Sequence, residues 1–312
     1  MNILKSLVNE QPLVTIITPS LNQGKYIEAT ILSVLNQDYL NIEYIIMDGG
    51  SIDETLDILK KYTNQITWFS EKDKGQTEAI NKGLRLAKGE ILAYINSDDT
   101  YLPGAIAKAV KYLTSDYPES KFIYGEGYHI SIEGEIIGRY PTEPFNFERL
   151  AETCYICQPT TFWKREVIDT IGLFDEDLHY VMDYDYWIRI AKKYGMLTYC
   201  EEYLANSRLY PETKTLTKRL EVHAEALTVI ERHYGKGHVP ISWIYGYAFL
   251  FMDRLISRDS RGKNFLFFIG LIGITTIMYA KYNYKIPISE FGNWKKWYRE
   301  NPSDFAWIFK TV

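Results

Sequence analysis

The sequence predicts an α/β fold, a mostly parallel central sheet flanked by helices, with a C-terminal helical extension. Three observations carry that expectation. Up to about residue 115, short apolar or β-branched runs alternate with stretches of helical periodicity. The connections between them are short, which implies right-handed crossovers between parallel strands. Beyond Pro240 the composition turns aromatic and apolar, and no charged residue occurs from Asn264 to Ala280.

Leu13 to Thr18 is a β-branched run and reads as the first strand. Lys25 to Gln37 follows as a helix whose apolar face is Ile27, Ile31, Val34 and Leu35. Ile42 to Met47 is the next strand and ends on Asp48. Ser51-x-x-Glu54 has the spacing of a capping box and opens a helix to about Tyr62. Ile66 to Phe69 is a short strand, and Gln76 to Lys88 a helix closed by Gly89. A strand runs into Asn96, and Pro103 begins another helix at a position that suits proline.

From Lys121 to Tyr140 the pattern is β-rich, punctuated by glycines. Gln158 to Trp163 reads as a strand, Asp183 to Tyr194 as a helix with Trp187 and Ile190 on one side, and Met196 to Leu204 as a strand. Asn206 to Thr217 is polar and loop-like, and leads into a helix through about His233. These boundaries divide the chain into a body of residues 1–235, with halves 12–115 and 116–217, and an extension of residues 236–312.

A chain of 312 residues with 46% apolar and 24% charged residues can bury a large core. Its net charge of −5 argues against nucleic acid as a partner. Ile241 to Val312 holds ten Lys or Arg against five Asp or Glu, so the extension carries +5 and the rest −10. A basic tail on an acidic body suits an anionic surface. The three cysteines include Cys154-x-x-Cys157, half a zinc site with no second pair, and fit a reducing compartment. With no apolar leader in view, the expected location is cytoplasmic, or peripheral on the cytoplasmic face of a membrane.

The chemistry concentrates at Asn96-Ser97-Asp98-Asp99, which follows the run Ile91 to Ile95. Acidic residues at that edge of an open α/β sheet sit where ligands bind. Adjacent aspartates cannot both be buried unpaired, and a divalent cation with a phosphate ligand resolves the conflict. A loop with helix-capping aspartates is the plainer alternative. The first strand-to-helix turn, Pro19 to Gly24, holds one glycine, so a dinucleotide fingerprint is absent, as is a P-loop. A metal held by Asp98 or Asp99 is then the economical partner for phosphates, and hard oxygen ligands suit Mg²⁺ or Mn²⁺.

Five motifs stand in register. They are Thr15 to Asn22, Asp48-Gly49-Gly50-Ser51-x-Asp53, Asp73-x-Gly75-Gln76 with Asn81-x-Gly83, Asn96 to Asp99, and an acceptor-like set further on. That last set comprises Gln158-Pro159, Gly172-x-Phe174-Asp175 and Asp183 to Trp187. In this order they resemble family-2 glycosyltransferases, over roughly Pro12 to Thr217. The resemblance implies a GT-A, Rossmann-like fold and inverting transfer of a hexose or N-acetylhexosamine in polysaccharide or cell-envelope biosynthesis. The donor implied is a nucleoside-diphosphate sugar, most often UDP-linked, and the acceptor a hydroxyl of a glycan or lipid-linked molecule. Implied roles are Pro19, Ser20, Asn22 and Gln76 around the nucleotide sugar, Asp48 on the base, and Asp73 near base and ribose. Asp98 would face ribose or sugar, Asp99 would ligate Mn²⁺ or Mg²⁺, and Asp183 would be the catalytic base.

Each assignment has a structural alternative. Asp48, Asp53 and Asp73 could be turn residues. Asp183 and Asp185 could complement a helix dipole, the favoured reading for Asp185. Gln158 and Trp187 are placed on the acceptor side, with core packing the competing role for Trp187. The chain departs from the family pattern at Asn96, where a first carboxylate is usual, at Met182, and at Arg208-Leu209-Tyr210, where Arg-x-His is common. Arg208 and Lys214 remain to grip the diphosphate. A metal-dependent nucleotidyltransferase and a non-catalytic sugar-binding module are the competing functions. In the extension, Arg258, Arg261, Lys263, Lys281 and Lys285 with Trp294 and Trp297 suit interfacial helices. Packing on the body and homodimerisation are the alternatives, and Asn264 to Ala280 is short for a membrane span.

Overall fold

The computed structural model describes residues 11–288. Trp294 and Trp297 lie outside the described residues. Two compact units divide the chain, one of Met1–Phe145 with Tyr155–Tyr210, the other of Asn146–Cys154 with Pro211–Val312. The helix ending near residue 234 therefore groups with the extension, as does the short segment 146–154.

The first unit is built on a nine-stranded sheet of order β3-β2-β1-β4-β8-β6-β9-β5, with β7 paired to β6. The strands are β1 Val14–Ser20, β2 Ile42–Asp48, β3 Thr67–Ser70, β4 Ile91–Tyr94, β5 Thr100–Tyr101, β6 Phe122–Ile130, β7 Ile136–Arg139, β8 Phe162–Lys164 and β9 Thr198–Arg208. β3, β2, β1 and β4 are parallel, as the alternating pattern requires. Beyond β4 the sheet is mixed, because β8 runs antiparallel to both β4 and β6 while β6 and β9 are parallel.

Helices α1 Ile27–Leu35, α2 Thr55–Lys61, α3 Gln76–Leu86 and α4 Ala105–Lys111 connect the first strands. α1 buries Ile27, Thr30, Ile31 and Val34, the spacing of one helical face, against a core that includes Val14, Ile16, Ile46, Ile91 and Ala93. α3 lies close on β1 because residue 83 is glycine. A Cβ there would sit 2.7 Å from Ile17 Cγ2.

Several local expectations change. The Ser51–Glu54 capping box does not form, since α2 has no side-chain cap and the Ser51 hydroxyl donates to Asp48. α3 ends at Leu86, short of Gly89, whose missing Cβ instead lets its backbone approach Thr15 N. Gln158–Thr160 forms a 3₁₀ turn and only Phe162–Lys164 is strand. Pro159 lacks the N–H that a ladder needs there. β9 continues through Arg208, so Asn206 to Arg208 are strand and not loop, held by Tyr128↔Asn206 and Ile130↔Arg208 pairing with β6.

The second unit, with the first unit's α6 Glu166–Ile171 and α7 Met182–Tyr194 intervening in sequence after α5, is helical. It holds α5 Phe147–Glu152, α8 Lys214–Thr217, α9 Arg219–Tyr234, α10 Ile241–Leu255 and α11 Arg261–Asn283. Asn146 caps α5 by accepting from Arg149 N at 2.8 Å. α10 and α11 share a small core of Ala248, Phe249, Met252, Phe267 and Leu271. The helix outruns the uncharged stretch at both ends. At 23 residues, α11 is the one described helix long and apolar enough to cross a membrane.

Candidate active site

Parallel pairing brings Ser20, Asp48 and Ser70 level at the C-terminal edge of β1, β2 and β3. The turns beyond β1 and β2 are laced together. Asn22 N donates to Ser51 Oγ at 2.7 Å, Gly24 N to Asp53 Oδ2 at 3.0 Å, and Ile52 N to Asn22 Oδ1 at 2.9 Å. Asn22 takes a left-handed backbone, φ 52°, which asparagine tolerates better than most residues. Asp53 is thereby a turn residue, also accepting from Thr55 N.

The Asp48 carboxylate is buried and filled by the protein. It accepts from Gly50 N, Ser51 N, the Ser51 hydroxyl and the Ser70 hydroxyl. An ionised carboxylate offers about four lone-pair sites, and four donors already occupy them. Asp73 stands against Gly49, half-buried, and accepts from Gly75 N at 2.9 Å. Burial pushes its carboxyl above the ordinary value, reinforced by the nearby acids Glu78 and Asp48. Pro19 and Ser20 are buried, and the Ser20 hydroxyl has no protein partner.

Past β4 the chain turns, with Asp99 N donating to Asn96 O. Asn96 is the hub of this turn. Its Oδ1 accepts from Gln76 Nε2 at 2.7 Å, and its Nδ2 donates to Gln158 Oε1 at 3.2 Å and to Asp99 Oδ2 at 3.3 Å. Gln158 in turn donates to Tyr94 O at 2.9 Å. An amide therefore stands where the first carboxylate is usual because two of its three partners are acceptors.

Asp99 is 4% exposed, and Arg208 N donates to its Oδ1 at 2.9 Å. Burial and then the Asp98 charge push its carboxyl well above the usual carboxylate range, against the pull of the Arg208 and Asn96 donors. Asp98 is only half-buried; its Oδ2 accepts from the Tyr210 hydroxyl at 2.9 Å. Burial raises its carboxyl too, while Tyr210 and Arg208 pull it down. Tyr210, at the position where the family often has His, thus faces the acidic pair with a phenol, and packs on Tyr26 at 5.1 Å.

Arg208 does not reach out for a ligand as expected. Its Nε donates to Asp98 O, its Nη1 to Ser131 O and Ile132 O, and its guanidinium covers the Tyr26 ring. Three of five N–H groups hold backbone carbonyls. Lys214 belongs to the other compact unit, at the start of α8.

The acceptor-like motifs dock on α3. Asn81 Oδ1 accepts from Phe174 N and its Nδ2 donates to Phe174 O, and Thr77 Oγ1 donates to Leu178 O at 2.8 Å. The loop that leads to Asp183 is so fastened beside Gln76, whose amide touches Asn96. Asp183 sits in the first turn of α7, half-buried, and accepts from Tyr184 N. Asp185 is 1% exposed and ion-paired with Arg189 Nε at 2.9 Å, while Arg189 also holds Ile171 O and Leu173 O. Trp187 is corrected from the acceptor side to the core. It is 0% exposed and packs on Phe122 at 4.8 Å with Trp163, Phe174 and Tyr186 around it.

Sequence reasoning missed the Asn96 hub, the Tyr210–Asp98 bond and the Asp185–Arg189 pair. The last had a visible signal, an acid and an arginine four residues apart on one helix. The other two join residues far apart in the chain.

Known proteins resemble this chain in sequence and in fold. An uncharacterized glycosyltransferase of Rickettsia typhi is 31% identical over 232 residues, covering 69% of this chain and 70% of that protein. Chondroitin synthase of Escherichia coli is 28% identical over 217 residues, 69% of this chain but 31% of that longer protein. Among solved structures, S. aureus TarS 1-349 in complex with UDP-GlcNAc superposes with a TM-score of 0.61 at 16% identity, covering 84% of this chain and 80% of that one. A mannosyltransferase of Pyrobaculum calidifontis, in complex with GDP-Man and Mn²⁺, gives 0.59 at 17% identity over 88% and 84%. These two likenesses bear out the glycosyltransferase-type α/β fold. The Glycosyl transferase family 2 profile matches residues 15–172, from the first strand through the turn after α6. With that match covering the motifs from Thr15 through Gln158-Pro159, the chain belongs to glycosyl transferase family 2 and is a glycosyltransferase.

Proposed function

We propose that the enzyme moves a sugar from a nucleoside-diphosphate sugar, UDP-linked in the first instance, to a hydroxyl of a glycan or lipid-linked acceptor, with inversion. The observation that carries this reading is the pair Asp98 and Asp99, both raised by burial at the carboxyl edge of β4. Two neighbouring acids whose carboxyls burial raises ask for a cation and a polyanion. Both TarS and the Pyrobaculum enzyme, which share the fold, are complexed with nucleotide sugars, the second with Mn²⁺ as well.

The donor set fits Mn²⁺ or Mg²⁺, which bind through one or two carboxylates and complete their shell with substrate phosphates and water. Among the described residues no three His, Cys, Asp or Glu side chains converge, so the diphosphate supplies much of that shell. On this reading Asp98 takes the metal role expected of Asp99. Both Asp99 oxygens accept protein donors and hold the turn, leaving Asp98, the more exposed, as the metal-facing carboxylate. When bound, the cation offsets charge that gathers on the leaving diphosphate.

The unpartnered Ser20 hydroxyl offers a hydrogen bond to the nucleotide, with Pro19 and Asn22 shaping the same turn. Asp73 faces base and ribose, and Asp48 preorganises the turn between them. Gln76 and Gln158 position the acidic turn through Asn96. Asp183 takes the acceptor proton as the hydroxyl oxygen attacks the anomeric carbon, and the bond to the diphosphate breaks on the opposite face with its electron pair. None of the three cysteines is in a disulfide, in keeping with a cytoplasmic site of reaction.

Incubation with a panel of UDP- and GDP-sugars and Mn²⁺ tests the reading. Free nucleoside diphosphate is the expected product. Pyrophosphate release would point to nucleotidyl transfer, and binding without any release to a sugar-binding module; either outcome overturns the proposal.

A further inference from the structure

α11 is apolar on two sides. Phe267 and Leu271, four residues apart, pack toward α10, and Thr275 one turn on is buried as well. Away from that line Phe265 is 64% exposed, Leu266 59%, Ile269 50% and Ile277 69%. Phe265, Ile269, Gly273 and Ile277 recur every four residues and form one stripe. An uncovered apolar stripe on a helix that is apolar all round marks an interaction surface.

Charge at the ends of the stripe selects the occupant. From Arg258 to Lys285 the chain carries Arg258, Arg261, Lys263, Lys281 and Lys285; Arg258 and Lys263 are ion-paired with Asp253 and Asp259, and no acid lies within α11. A second copy laid antiparallel would bring Arg261 and Lys263 against Lys281 and Lys285, cation on cation. An anionic lipid surface offers phosphates at both ends and acyl chain between. At about 1.5 Å per residue the helix extends roughly 35 Å, so its two basic ends are well separated. α10, packed on the opposite side, is 15 residues long and carries Asp253 and Arg254, too short and too polar to cross beside it.

We infer that this stripe of α11 docks the enzyme on an anionic bilayer, lying in the headgroup and acyl boundary parallel to the membrane plane. The inference stands apart from the transfer chemistry, since none of these residues belongs to the catalytic unit.

Flotation of the full chain with vesicles of phosphatidylcholine alone or mixed with phosphatidylglycerol tests it. The chain is expected to float with the mixed vesicles and to be released by salt. Lys281→Gln with Lys285→Gln should weaken partitioning about thirty-fold, at about 1 kcal/mol per basic residue near such a surface. Phe265→Gln with Ile269→Gln and Ile277→Gln should abolish it. Both variants change exposed positions and should keep the helical circular dichroism and the lipid-free activity. Absence of binding to mixed vesicles, or equal binding to neutral ones, overturns the inference. So does a lipid-free dimer that the triple variant dissociates, which would make a second copy the occupant. Resistance to alkaline extraction would replace docking with a span.

Discussion

Replacing Asn96 by Asp restores the family's usual carboxylate and removes the amide on which the turn depends. Asn96 Nδ2 now donates to Asp99 Oδ2 at 3.3 Å and to Gln158 Oε1 at 3.2 Å. An ionised aspartate donates to neither. Each acceptor left without a donor costs about 1–3 kcal/mol, so two cost about 2–6. The new carboxylate would also stand about 3.3 Å from Asp99, where repulsion at an effective dielectric near 20 is about 5 kcal/mol. Taking up a proton at pH 7 costs a carboxyl of ordinary pKa about 4 kcal/mol. One acid of the pair therefore protonates and returns one of the donors. With about 4 kcal/mol for that proton and about 1–3 for the acceptor still unmet, the loss is about 5–7 kcal/mol, or roughly 10–28 °C in Tm at about 2–4 °C per kcal/mol. Thermal unfolding in EDTA at pH 7 measures it. Mn²⁺ should then raise the variant's Tm more than the wild type's, because the added carboxylate is a further ligand and the cation relieves its repulsion with Asp99. A variant as stable as wild type in EDTA, or one with no larger Mn²⁺ shift, refutes the reasoning.

Asp183→Asn should lower kcat by about 10²–10⁴, the usual worth of a general base, with UDP affinity unchanged by calorimetry; a parallel loss of affinity would reassign the residue. Asp98 and Asp99 titrate above the ordinary 3.8, so the folded state holds protons that the unfolded chain has released. Their contribution to stability is present in acid and is lost as pH rises through the raised values. Asp99→Asn should therefore gain on wild type with rising pH in EDTA, and the wild-type Mn²⁺ shift should grow over the same range. A pH-independent difference in denaturation midpoint would reject that account. Arg189→Met removes the cation paired with Asp185, 1% exposed, and should cost about 3–5 kcal/mol in urea unfolding; under 1 kcal/mol would show that the ion pair is dispensable.

The order of elements from β1 through α4 was legible because periodicity of two and of 3.6 is a local property, written residue by residue. The same holds for the placement of Asp48 and of Asn96 to Asp99 at strand ends, since the apolar runs stop there. The short strands of the second half were less so. Gln158–Thr160 curls because of Pro159, and β9 persists to Arg208 because β6 lies beside it.

Which acid does which job was decided elsewhere. Asp48 is filled by Ser70, Asp99 by the backbone of Arg208, and Asp98 is met by Tyr210, partners that lie 22, 109 and 112 residues away. A hydrogen bond saturates an oxygen only where the fold brings its donor, so composition and spacing could name the acids without ranking their availability. Trp187 shows the same limit from the apolar side. Its helical spacing put it on a face, but only the closing of Phe122, Trp163 and Phe174 around it made that face the core.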